Sequence, residues 1–250
     1  MKCERVLAAR ALAMEGVVAC ITGKDMPTKY GINFTAKFMN QGGALVHLYT
    51  DGTILIAHGG TEMGQGLHTK IRAIAADGLG VPTTAVRLMT TATDKVPNTS
   101  ATAASSGSDL NGWAAKLAAL KLRGRLSEFW RTATGIDGAL TFADRRVHSP
   151  DGQSWPFAEV VRAAYVGRVS LSATGYYRTP KIDWDAKTGQ GRPFLYFAYG
   201  AAVSEVEIDT LTGANRVIRA DILHDVGRSL NPDIDHGPIE GRVVPGMGWP

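Results

Sequence analysis

Ala44-Leu45-Val46-His47-Leu48-Tyr49-Thr50-Asp51-Gly52-Thr53-Ile54-Leu55-Ile56-Ala57-His58 runs without a break into Gly59-Gly60-Thr61-Glu62-Met63-Gly64-Gln65-Gly66. The first part holds two β-rich runs on either side of Asp51-Gly52. Both turn residues tolerate a positive φ, which makes this a strong hairpin signal. The second part is a loop of small residues. After it Leu67, Ile71 and Ile74 fall on one helical stripe, and Gly78-Leu79-Gly80 ends that helix. Strand, small-residue loop and helix therefore follow in order. The order recurs downstream: Val86 to Met89 predicts a short strand and Asn98 to Gly107 a second small-residue loop. A helix then opens at Ser108-Asp109, good N-cap chemistry, and carries Trp113, Leu117 and Leu120.

Working outward, residues 139–150 and 169–180 read as strands and turns, and Lys187 to Arg192 as a polar Gly-rich loop. A last hairpin pairs Ala201–Asp209 with Arg216–Leu223 across Thr212-Gly213-Ala214-Asn215. Asn231 to Pro250, rich in Gly and Pro, reads as irregular. At the other end Leu7, Leu12 and Met14 have a helical spacing, Val17 to Ile21 is strand-like, and Pro27 closes the segment. Hairpins mixed with helices predict an α+β fold with mixed and antiparallel sheets, rather than a doubly wound parallel one.

Composition narrows the class. At 250 residues, 44% hydrophobic and 20% charged, the chain can bury a sizeable core, which excludes low-complexity disorder. No apolar run reaches the roughly 18–20 residues that span a bilayer, so no membrane partner is expected. With Cys3 and Cys20 alone, a disulfide framework is not expected and a reducing cytoplasm is the default compartment. The net charge of +4 could suggest nucleic acid, but the basic residues are scattered. Their densest patch, Lys116, Lys121, Arg123 and Arg125, sits on one predicted helix and reads as a solvated face. No nucleic-acid partner is expected.

Chemistry concentrates in the two small-residue loops. A helix N-terminus offers unpaired N–H groups and partial positive charge, and small residues let an anion such as phosphate come close. Neither loop is a nucleotide fingerprint: the first lacks the Lys-Ser/Thr of a P-loop, and its glycines do not fall as G-x-G-x-x-G. The plainer alternative is that both are tight turns packing a helix on a sheet. The six histidines, at 47, 58, 68, 148, 224 and 236, form no metal-ligand motif, so no protein-ligated metal is expected. His47 alternates within a strand and reads as structural, and Cys20 as a small core residue. Adjacent His224 and Asp225 make a weak pair, since strand neighbours point to opposite faces. Glu62 is the one carboxylate in the first loop, open to a general-base role or to stabilising the helix start.

Longer strings carry a resemblance. Gly31-Ile32-Asn33-Phe34-Thr35, Asn40-Gln41-Gly42-Gly43-Ala44-Leu45-Val46-His47 and Gly59 through Lys70 closely resemble the molybdenum-binding large subunit of the xanthine dehydrogenase/aldehyde oxidase family of molybdenum hydroxylases. Val96 through Ser105, Leu171 through Pro180, Tyr196 through Gly200, Ser204 through Asp209 and Ser229-Leu230-Asn231-Pro232 match in family order. The resemblance implies a molybdopterin-binding domain over residues 27–250, the second such subdomain of the family fold, truncated at its C-terminus. Residues 1–26 look like a remnant of an earlier part of the same subunit.

The resemblance also assigns roles. Met63, Gly64 and Gln65 are implied to contact the pterin, Gln65 through its amide. Thr102, Ala103, Ala104, Ser105, Ser106 and Gly107 are implied to form the second cradle, and Phe34 with Thr35 to receive a flat heteroaromatic substrate. The implied reaction is hydroxylation of a purine with water as oxygen donor, hypoxanthine or xanthine to urate, with an aldehyde oxidase-type relative as the alternative. Two cysteines cannot hold an iron–sulfur cluster, so iron–sulfur and FAD groups are implied on other domains or chains. The family's catalytic glutamate lies in a Gly-Glu-Pro-Pro string that this sequence lacks, so no catalytic residue is assigned. The chain alone is expected to be inactive, either as part of a larger enzyme or as a non-catalytic remnant. Near the end, Gly237-Pro238-Ile239-Glu240-Gly241 stands where the family usually has Gly-Gln-Ile-Glu-Gly. Pro238 thus replaces a side-chain amide and removes a backbone donor.

Overall fold

The computed structural model describes residue 13 and residues 39–96, 98–103, 106–185 and 187–248. Apart from Ala13, residues 1–27, with the proposed remnant and Cys20, lie outside the described residues, as do Phe34, Thr35, Ala104 and Ser105. The chain divides into two compact units, residues 34–195 with 228–250, and residues 1–33 with 196–227.

In the larger unit β1 (Gln41–Leu48) and β2 (Ile54–His58) pair as the expected hairpin, Leu48 opposite Ile54 and Val46 opposite Ile56. Its turn is closed by Asp51, whose carboxylate accepts from the Thr53 N–H at 2.8 Å and the Thr53 hydroxyl at 2.6 Å. Ala44, Val46, Leu48, Ile54 and Ile56 are buried on one face. Helix α1 (Leu67–Leu79) returns the chain through a short 3₁₀ turn to β3 (Val86–Leu88), which lies parallel to β2. Helix α2 (Gly107–Thr134) follows, and β7 (Ser172–Arg178) pairs antiparallel with β1. The sheet order β3-β2-β1-β7 is therefore mixed, as the α+β expectation requires.

Helix α2 buries Leu110, Ala114, Ala115, Ala118, Ala119, Leu122 and Leu126, not the stripe read from sequence. Trp113 is exposed and stacks on Tyr177, ring centroids 5.7 Å apart. The alanine face wins because the sheet offers glycines to it. A Cβ on Gly175 would lie 1.9 Å from the Ala114 carbonyl oxygen, and one on Gly42 would lie 3.0 Å from that of Leu110. Helix and strand backbones thus nearly touch. Of the basic patch on α2, Lys121 is exposed and Lys116, Arg123 and Arg125 are half-buried, and two of them are not merely solvated. Lys121 donates to the Thr174 carbonyl at 2.9 Å, and Arg125 to those of Ser170 and Ser172 at 3.2 and 2.7 Å.

Between α2 and β7 lie a small antiparallel sheet, β4 (Thr141–Ala143), β5 (Arg146–His148) and β6 (Ser154–Pro156), and helix α3 (Phe157–Val166). Helix α3 went unread in the sequence although Phe157, Val160, Val161 and Ala164, all buried, have helical spacing. The Gly-rich loop read over 187–192 contains the end of a short ribbon, β8 (Asp183–Asp185) with β9 (Gln190–Arg192). The smaller unit contains β10 (Gly200–Ile208) and β11 (Asn215–His224), the last hairpin expected, with a bulge at Glu205/Val206.

The sequence reading of 231–250 as irregular is corrected by α4 (Pro232–Met247). Asn231 caps it, its side chain accepting from the Ile234 N–H at 3.2 Å, and Pro232 opens it. Asn followed by Pro is a helix-start signal in its own right, outweighed in the reading by Pro238, Pro245 and the glycines.

Candidate functional site

The loop from Gly59 to Gly66 leaves β2 and enters α1. Two glycines let neighbours in: a Cβ on Gly59 would overlap the Thr99 side chain, and one on Gly60 would meet Leu67 and Asn111. The second small-residue loop is laced to the first, the Thr61 N–H donating to the Thr102 hydroxyl at 2.8 Å. Gly107, first residue of α2, packs against Leu67, first residue of α1, at 3.3 Å from its would-be Cβ. The two helix starts therefore lie side by side, and a helix start is where an anion is favoured. The cap of α2 is Ser106, two residues before the expected start, and its side chain makes no cap bond.

Glu62 turns its carboxylate to the start of α1. It accepts from the backbone N–H groups of Gly64 and Gly66 at 3.0 Å each, and from that of His68 at 2.9 Å. Burial pushes this carboxyl up, but the three N–H groups outweigh it and hold the group below the usual carboxylate range. Of the two roles open to Glu62, the geometry realises helix stabilisation. Gly66, the residue before the helix, has φ +73° and no side chain to supply that cap. Replacing Glu62 by Ala is expected to cost about 1–2 kcal/mol, the size of a lost N-cap, with Glu62→Gln in between. Denaturant midpoints at pH 7 check this, and the difference should shrink as pH falls through the folded-state value of Glu62.

Gln65 folds back on the loop: its Oε1 accepts from the Met63 N–H at 2.5 Å and its Nε2 donates to the Thr61 carbonyl at 2.9 Å. The side-chain amide expected to meet the pterin is thus engaged within the loop. Met63 is exposed, and Gly64, at φ +92°, has no atom within 4 Å of where a Cβ would point. Across from these residues lies α4. Ile234 sits against Gly66, where a Cβ would come within 2.5 Å of its Cγ2. Between loop and helix is an open cleft of about 500 Å³, walled by Met63, Gly64, Gln65 and Gly66 on one side and by Asp233, Ile234, Gly237, Pro238 and Gly241 on the other. Sequence reasoning noticed 237–241 only as an altered motif, and Asp233 and Ile234 not at all; the Asn231-Pro232 helix start is the signal that places them. A second cleft of similar size, by Gly80 and Arg145, contains none of the expected site residues.

Beneath the loop, His58 is 3% exposed and accepts from the Gly60 N–H through Nδ1 at 3.1 Å. Its ring meets that of His68 edge to face, centroids 5.2 Å apart. Burial, with the second imidazole adding, pulls its pKa down to about 4, so it is neutral at pH 7. Asp109, in the first turn of α2, is pushed up by burial to about 6. Among the described residues no cluster of three His, Cys, Asp or Glu could hold a metal ion, and no helix is long and apolar enough to cross a membrane.

The described residues fit a phosphate-bearing, flat heterocyclic group. Two small-residue loops are laced together at paired helix starts, and the cleft beside the first has room for a ring. Comparison with known proteins bears on what that group is. Residues 24–250 match the family described as "Molybdopterin cofactor-binding domain". The chain is 49% identical over 225 residues to the "Xanthine dehydrogenase/oxidase" of Mus musculus, and 49% identical over 227 residues to the "Xanthine dehydrogenase" of Dictyostelium discoideum. These alignments cover 89% and 90% of this chain and 15% of each relative, so the chain spans about 15% of the length of the curated relatives it matches. Among solved structures, quinoline 2-oxidoreductase from Pseudomonas putida 86 aligns with a TM-score of 0.64 and 28% identity over 80% of this chain and 25% of that one. The Cu,Mo-CO dehydrogenase aligns with a TM-score of 0.68 at 24% identity, over 81% of this chain and 25% of that one, a likeness of fold.

Proposed function

The chain belongs to the molybdopterin cofactor-binding domain family, and from that premise we propose that residues 27–250 hold one side of a molybdenum hydroxylase site acting on a purine. The observation that carries this reading is the pair of small-residue loops joined by the Thr61–Thr102 hydrogen bond at adjacent helix starts, with α4 facing the first of them. Met63, Gly64 and Gln65 would bound the pterin from the loop side. Thr102, Ala103, Ala104, Ser105, Ser106 and Gly107 would form the second cradle, their N–H groups and hydroxyls favouring the phosphate. Phe34 and Thr35 would orient the flat substrate. Bound there, the group supplies a redox-active metal for hydroxylating an electron-poor carbon with oxygen from water. The protein's part is to cradle, to orient and to keep competing water out.

Chains or domains carrying iron–sulfur and FAD groups complete the enzyme, because Cys3 and Cys20 are too few for a cluster, and the cytoplasm is the compartment. An identity of 49% to two xanthine dehydrogenases over 89% and 90% of this chain supports the purine over an aldehyde.

The test is to produce the chain in cells that make molybdopterin. Bound pterin is then measured by its fluorescence after oxidation, and molybdenum by mass spectrometry. Near-stoichiometric pterin is expected. Gly64→Ala should put a methyl into the cleft without touching other atoms, at about 1 kcal/mol of backbone strain. It is expected to cut pterin content about tenfold, the equivalent of one good hydrogen bond, while the melting point moves little. Purified wild-type chain free of pterin would sink the reading.

A further inference from the structure

Lys70 lies in the first turn of α1 and Asp235 in the first turn of α4, 165 residues apart in sequence. Their side chains meet at 2.7 Å and are only 18% and 14% exposed. The other ion pairs of the described residues each leave at least one partner more than half exposed. The second carboxylate oxygen of Asp235 accepts from the Ser229 hydroxyl at 2.6 Å, so both oxygens are held. Burial pushes the Asp235 carboxyl up; the Lys70 and Ser229 contacts outweigh it and hold the group below the usual carboxylate range. Exposed pairs contribute little to stability, but a pair withdrawn from water on both sides fixes one geometry and is costly to break.

Helix α4 needs such a fixing. Pro238 and Pro245 have no amide, so residues 234 and 241 lose their ordinary i+4 donors, and Gly237, Gly241 and Gly246 each weaken a helix interior. A helix of this composition has little order of its own. Yet it carries Ile234, Gly237, Pro238 and Gly241, the wall opposite Met63 to Gly66. We propose that Lys70 and Asp235 are positioning residues for the cofactor cleft, their Ser229-braced ion pair holding the α4 wall across from the Met63–Gly66 loop. The proposal rests on the functional reading above.

The test uses the full chain made with the cofactor, as wild type, Lys70→Met, Asp235→Asn and the exchanged pair Lys70→Asp/Asp235→Lys. Two quantities are read: amide hydrogen exchange over residues 232–247, and pterin content. Each single variant is expected to speed exchange in α4 about thirtyfold, somewhat less than breaking a fully buried pair would. Exchange in the α2 core should stay unchanged, and pterin content should fall severalfold. The exchanged pair should recover both, which a merely local packing role would not produce. Unchanged α4 exchange in the single variants overturns the positioning role, as does faster exchange with undiminished pterin. A wild-type chain without pterin instead overturns the functional reading, and the cofactor half of this proposal with it.

Discussion

Gly175→Ala is expected to abolish the fold of the larger unit, or to destabilise it by at least about 4 kcal/mol, the range reserved for severe core disruptions. The added methyl would sit 1.9 Å from the Ala114 carbonyl oxygen and 2.8 Å from the Ala118 nitrogen. Both are backbone atoms of α2, so no rotamer change relieves the overlap. The helix must lift from β7, and with it goes the burial of Ala114, Ala118 and their neighbours. Gly124 supplies the control on the same helix. It is exposed with nothing within 4 Å of a new Cβ, so Gly124→Ala is expected to stabilise by up to about 1 kcal/mol. Thermal melts of the two variants should move in opposite directions; equal shifts would show that contact with α2 is not what makes Gly175 intolerant of a side chain.

Acid is expected to draw opposite contributions from two groups that burial shifts. Asp109, with a folded value of about 6, favours the folded state as it becomes neutral, while His58 favours the unfolded state as it charges. His58 is buried neutral, with a folded value near 4 against an ordinary 6.5. The unfolded chain therefore binds the extra proton first. The stabilising contribution is complete above pH 6.5 and is lost as pH falls towards 4. Over that window the loss amounts to about 3 kcal/mol at most. Urea midpoints at pH 7, 5.5 and 4.5 measure the slope. His58→Asn keeps an acceptor near the Gly60 N–H and removes its titration, so the variant should gain stability relative to the wild type as pH falls from 6.5 to 4.5, with Asp109 left to act alone. A slope equal to that of the wild type would assign the effect to other groups. Glu62 answers at lower pH, since its folded value lies below 4.5, and separates from His58 on that basis.

Much of this was legible because period and turn chemistry agree locally. The Asp51-Gly52 hairpin, α1 behind its small-residue loop, and the β10–β11 hairpin follow from alternation, stripe and turn residues. The α2 face was misjudged for a tertiary reason. Trp113, Leu117 and Leu120 are the larger side chains, but only alanines fit where Gly42 and Gly175 bring sheet and helix backbones together. Helix α4 was hidden by propensity, its prolines and glycines outvoting a good start at Asn231-Pro232. The two loops were visible as strings. Their lacing through Thr61 and Thr102, and the wall that α4 sets opposite Met63, depend on contacts between segments 41 to more than 160 residues apart, which no local pattern encodes.

The side chains of Lys121 and Arg125 have one more effect. Leu171 gives its carbonyl to β1 through the Leu48 N–H, so the carbonyls of Ser170, Ser172 and Thr174 point away from the sheet. These are the acceptors that Lys121 and Arg125 occupy. An incoming strand would have to evict two cations to extend the sheet at that edge, and at the other edge β3 offers only three residues. The β10–β11 ribbon has no such guard among the described residues, and Val206, Ile208, Val217 and Ile222 stand exposed along it. Self-association through added strands, and any fibril grown from this chain, should therefore be seeded at the ribbon and not at the four-stranded sheet.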